Sequence, residues 1–95
     1  MLRLIQRVVQ AAEPVGTWVG VCGGIAGEPL GALILTGLGV DELSMSIPSV
    51  AAVKARLRQV SLAQAKVLAQ QALACSTAAE VRGLSLPVAP VRVTA

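Results

Sequence analysis

The sequence has no histidine, no tyrosine and no phenylalanine, and Trp18 is its one large aromatic. Without histidine the chain holds no Cys–His or Ser–His pair to activate a nucleophile, and no phosphohistidine of its own. Its two cysteines, Cys22 and Cys75, stand 53 positions apart without CxxC spacing, so the usual zinc arrangements are excluded. Charge is scarce too: 14% of residues are charged, against about 25% in an ordinary soluble domain. The eight basic residues are dispersed and nowhere interleaved with aromatics, so nucleic acid is not an expected partner. No long uninterrupted apolar run exists: the stretch from Val15 to Val40 is glycine-rich and broken by Glu28-Pro29, and no aromatic belt flanks it. A membrane span is therefore not expected. Arg3 and Arg7 alternate with apolar residues instead of preceding them, which is not a signal-peptide pattern. The cytoplasm, with reduced thiols, is the expected compartment.

What the chain does have is apolar surface. Hydrophobic residues make up 55% of it, more than 95 residues can cover by themselves. The composition predicts part of a larger domain, or a subunit that pairs with itself or with a longer chain. Leu4, Ile5, Val8, Val9 and Ala12 recur at helical spacing, predicting an amphipathic helix over 2–12. No cap residue precedes it, a further sign that the unit extends beyond this start. Pro14 and Gly16 end it. Thr17 to Val21 is β-branched or aromatic except at Gly20, which predicts a short strand buried on both faces. Gly23, Gly24 and Gly27 form a turn, Glu28-Pro29 suits a helix start, and Gly37 and Gly39 are expected to end that helix. Asp41 to Ser46 is the second strand. Strand starts about 24 residues apart with a helix between are βαβ spacing and predict parallel pairing. Ser49 reads as the cap of a helix with the stripe Val50, Val53, Leu57 and Val60. Ser61 with Gln64, and Thr77 with Glu80, read as capping boxes of two more helices. The tail from 85 to 95 carries two prolines and no periodicity, and is expected to be loose.

The order α-β-α-β-α-α-α is α/β. Two parallel strands do not make a stable sheet alone. The pattern fits the last βα units of a (β/α)8 barrel plus C-terminal helices, an incomplete barrel over 1–84, or equally part of an open doubly wound sheet. Cys22, at a strand's C-terminal end, is the one residue placed to act as a nucleophile or acid. The bland alternative is a buried filler cysteine, the reading given to Cys75 in its alanine-rich helix. The glycines after Cys22 do not form a G-x-G-x-x-G register, so a tight turn competes with a ligand cradle. Asp41-Glu42 stand at the N-terminal end of their strand and are expected to be structural. Ser44 and Ser46 have no base to activate them.

Trp18-Val-Gly-Val-Cys-Gly-Gly-Ile-Ala-Gly-Glu-Pro29 and Gly37-Leu-Gly-Val-Asp-Glu-Leu-Ser-Met-Ser46 resemble the C-terminal part of the phosphoenolpyruvate-utilising enzymes. Ala65-Lys-Val-Leu-Ala-Gln-Gln-Ala72 extends the likeness towards enzyme I of the sugar phosphotransferase system and the multiphosphoryl transfer proteins. The resemblance implies a barrel that binds phosphoenolpyruvate and Mg2+ and passes the phosphoryl group to a histidine on another domain, then to an HPr-type phosphocarrier protein. It implies that Cys22 protonates enolpyruvate to pyruvate and that the backbone of Gly23 contributes to substrate binding. The magnesium carboxylates, substrate arginines and acceptor histidine of that family match no residue here. The family usually carries Glu where this chain has Gly24. The alternatives are a non-catalytic module that completes or associates with a barrel, and a small thiol protein centred on Cys22.

Overall fold

The computed structural model describes residues 1–84. The expected loose tail, 85–95, lies outside the described residues. Five helices accompany two short strands: α1 (Leu2–Ala12), β1 (Gly20–Cys22), α2 (Pro29–Leu38), β2 (Glu42–Ser44), α3 (Ile47–Arg58), α4 (Leu62–Ala74) and α5 (Ala78–Arg82). The strands pair in parallel, with Gly20 opposite Glu42, Val21 opposite Leu43 and Cys22 opposite Ser44. This is the α/β order and the parallel pairing that the strand spacing predicts.

Helix α2 is the centre of the molecule. It is apolar on all sides, and such a helix must be enclosed. Leu33 and Ile34 pack with Leu68, Ala69 and Ala72 of α4, while Leu35 packs with Val9 of α1, Ala26 and Val40. Two of its glycines are there because backbone approaches them. A Cβ on Gly31 would overlap the Ile25 carbonyl oxygen, and one on Gly37 would overlap the carbonyl oxygen of Ala65 in α4. Gly37 therefore sits inside α2 as a packing residue. The helix ends at Gly39 alone, whose φ of 98° is left-handed.

Other boundaries differ from the sequence pattern for local reasons. Only Gly20–Cys22 is strand, because the Val19 N–H is drawn to Asp41 Oδ2 at 2.9 Å and the Thr17 N–H to the Ala12 carbonyl at 3.2 Å. Nor is β1 buried on both faces: Val21 is half-buried, Gly20 and Cys22 are exposed, and Trp18 is 63% exposed. Helices cover one face of this two-stranded sheet, so burial alternates. Helix α3 starts at Ile47 with Ser46, not Ser49, as its cap residue. Pro48 explains the shift, since it fits the first turn, where its missing N–H costs no intrahelical bond. Val53 of the predicted stripe is buried, Leu57 and Val60 pack on the core, but Val50 is 39% exposed.

The Ser61 box is complete: Gln64 N donates to Ser61 Oγ at 3.1 Å and Ser61 N donates to Gln64 Oε1 at 2.9 Å. The second box is one-sided. Thr77 Oγ1 accepts from Glu80 N at 3.1 Å, but Glu80 Oε2 accepts from Ser76 N, one residue before the cap.

Candidate functional site at the end of the first strand

The site is built by the chain leaving β1. Cys22 is the last strand residue and is exposed. Gly23 follows with φ of 127°, a conformation closed to ordinary side chains. Residues Gly24–Gly27 make a 3₁₀ turn, closed by Ala26 N donating to the Gly23 carbonyl at 3.2 Å. Ala26 is fully buried and anchors this turn against Val9, Leu35 and Val40. Gly31 lets the turn lie directly on the first turn of α2. Glu28 is the cap residue of α2 and not its first helical residue, and Pro29 begins the helix. The glycine-rich stretch is thus a rigid strand-to-helix turn that presents Cys22 at the sheet's end.

An open cleft of about 600 Å³ lies in front of it, lined by Cys22, Gly23, Gly24, Ser44, Ser46 and Ser49 among others. Ser46 Oγ and Ser49 Oγ are 3.0 Å apart, at the start of α3. Ser44 Oγ donates to Glu42 Oε1 at 3.2 Å. These hydroxyls could hold the oxygens of a small ligand beside the thiol. The structure therefore brings together Cys22, the Gly23 backbone and three serines. Arg3 and Arg7, on α1, are not among the residues lining this cleft, and Cys75 lies elsewhere, as the C-cap of α4, with Sγ 3.3 Å from the Gln71 carbonyl oxygen.

Two features were harder to read from sequence. One is that Gly20, Cys22, Glu42 and Ser44 share a sheet face, opposite the helix-covered face of Val21 and Leu43. The period-2 alternation and the register place them there. Asp41 has the expected structural role, joining the strand starts through Val19. Glu42 is also held within the chain, its carboxylate accepting from Ser44 Oγ along the open face of the same strand. The other is Ser49. Its sequence context suits a helix cap, but it forms a wall of the cleft instead.

The carboxylates do not cluster. Among the described residues no group of three acidic, cysteine or histidine side chains is placed to hold a metal ion. The observed carboxylate bonds go to the chain itself: Asp41 to Val19, Glu42 to Ser44 and Glu80 to Ser76. The described residues do not fit a magnesium site. Among the described residues no helix is long and apolar enough to cross a membrane.

Residues 1–62 match the family described as PEP-utilising enzyme, PEP-binding domain. A multiphosphoryl transfer protein of Rhodobacter capsulatus is 62% identical over 84 residues, covering 88% of this chain and 10% of that protein. One from Xanthomonas campestris is 52% identical over the same length and the same shares. A phosphoenolpyruvate-protein phosphotransferase of Haemophilus influenzae is 46% identical over 81 residues, 85% of this chain and 14% of that protein. The chain spans about a tenth of the length of the first two relatives.

Proposed function

The chain belongs to the PEP-utilising enzymes, and from that premise we propose that it is the C-terminal part of an enzyme I-type phosphoenolpyruvate-protein phosphotransferase. The observation that carries the reading is the exposed Cys22 thiol at the end of β1, facing a cleft walled by the glycine turn and serine hydroxyls. In the parent reaction the phosphoryl group leaves phosphoenolpyruvate for a protein histidine outside this chain, and then for an HPr-type carrier. Enolpyruvate remains. Cys22 gives its Sγ proton to the methylene carbon, a new C–H bond forms, and the enol oxygen becomes the ketone of pyruvate. The thiolate regains a proton from solvent. The Gly23 backbone and the serines orient the three-carbon acid.

The exposed small and polar face, Gly20, Cys22, Glu42 and Ser44, is the side of the strands that would look into a barrel, with α2 outside. Six strands of an eight-stranded barrel would have to come from elsewhere. Any magnesium of the parent reaction would be held by residues outside this chain, since none of the described residues form a ligand set. In a chimera, this chain replaces its counterpart in the Rhodobacter capsulatus protein and pyruvate release from phosphoenolpyruvate is followed. Loss of a positioned general acid costs about 10²–10⁴-fold, so Cys22→Ala should lower turnover by at least about a hundredfold. An undiminished rate in Cys22→Ala would refute the proton-donor role. The 95-residue chain alone should release no pyruvate.

A second reading, an assembly module that completes a barrel supplied by another polypeptide, is favoured by exposed apolar side chains. Leu4 is 66%, Trp18 63% and Ile47 89% exposed. Both outer edges of the two-stranded sheet are also unpaired among the described residues. Light scattering on the purified chain tests it, and a well-folded monomer at micromolar concentration would count against it.

A further inference from the structure

A second cleft, also about 600 Å³, adjoins the glycine turn, where the start of α1, the start of α2, the end of α4 and α5 converge. Its floor is apolar: Leu30 and Ile34 of α2, Ala72 and Leu73 of α4 and Val81 of α5. Arg3 and Arg82 are among its lining residues, and Glu28 is the one acidic residue with them. Arg3 Nη2 donates to the Leu73 carbonyl oxygen at 3.3 Å. That bond holds its guanidinium against the end of α4 and leaves further N–H donors for a ligand. The size is that of a small-molecule pocket, and an apolar floor with a few charged groups is the usual composition of one.

We propose that this cleft binds a small amphipathic carboxylate, with its apolar body on the floor of Leu30, Ile34, Ala72 and Val81 and its carboxylate between Arg3 and Arg82. The two clefts share Gly24 and Glu28, so they adjoin at the glycine turn. Gly24 has open space where a Cβ would be, and a ligand in the second cleft would touch the same residue that frames the Cys22 cleft.

The experiment titrates the full 95-residue chain with octanoate and follows backbone amides by ¹⁵N–¹H correlation spectra, with 1-octanol as the uncharged probe of equal length. Saturable shifts centred on Gly24, Gly31, Ala72 and Ala78 are expected. Octanoate should bind about fivefold more tightly than octanol, the size of effect that two partly exposed ion pairs supply. The Arg3→Ala/Arg82→Ala double variant should remove that preference, while Arg58→Ala, on α3, should leave it intact. Equal affinity for octanoate and octanol, an unchanged preference in the double variant, shifts centred elsewhere, or no saturation would each overturn the proposal. Both arginines are exposed, and the amide spectrum itself shows that each variant has folded.

Discussion

Gly37→Ala tests the account of how α2 and α4 meet. In an exposed helix the change would stabilise by about 1 kcal/mol, because alanine is the better helix former. Here the added Cβ would overlap the Ala65 carbonyl oxygen and come to 2.9 Å from the Ala69 Cβ. Both obstacles belong to α4 and neither is the end of a flexible side chain, so α4 itself must move away. The same interface holds Leu33, Ile34, Leu38, Leu68, Ala69 and Ala72, the larger of the two core clusters. A gap of half an ångström to one ångström forfeits about a quarter to a half of each dispersion contact across it. Overpacking of this kind costs about 1–3 kcal/mol, and with backbone as the obstacle the upper part of that range applies. After the propensity gain the net loss is about 2 kcal/mol, or about 8–16 °C in Tm for a domain of this size. Gly24→Ala is the control, since nothing lies within 4 Å of its Cβ position and its φ is not positive. It should be neutral or stabilising by up to about 1 kcal/mol. Thermal melts followed by far-UV circular dichroism compare the two. A Gly37→Ala chain as stable as the parent would refute the close-approach argument.

Three further outcomes are expected. Gly23→Ala has open space around its Cβ but must hold φ at 127°, so it should lower stability by about 1–3 kcal/mol where Gly24→Ala does not; equal melting temperatures for the two variants would contradict this. Ser61→Ala removes one half of the reciprocal cap of α4 and should cost about 1 kcal/mol in urea denaturation, with an unchanged m-value. Ellman's reagent should modify the exposed Cys22 well before the half-buried Cys75 in the folded chain, and the difference should vanish in denaturant; equal rates in the folded chain would show that Cys22 is not presented to solvent.

Much of this was legible because the signals are local. Helix α1 follows from the spacing of Leu4, Ile5, Val8 and Val9, α4 from the Ser61–Gln64 box, and the strand-to-helix turn from Gly23 and Gly27. The parallel pairing follows from the distance between the strands, and the placing of Cys22 at a strand's end follows from the turn glycines after it. The departures share a cause as well. A glycine near a helix terminus, such as Gly37, has the same local signature whether it ends the helix or admits a neighbour. Ser46 and Ser49 both suit the cap, and the choice falls on Ser46 because the helix already includes Ile47 and Pro48.

The sequence by itself determined the family, the order of elements and the chemical poverty of the chain. With no histidine and no cluster of acidic residues, it holds one candidate acid and not the acceptor. Those are statements about residue types and near neighbours, which a linear pattern carries in full. Only the tertiary structure decided which face of β1 is open, that Glu42 and Ser44 share it with Cys22, and that Gly24 lines two clefts. Each of these depends on register across the sheet or on contact between elements far apart in the chain. No spacing along the sequence encodes such contacts until α2 is packed and the strands are paired.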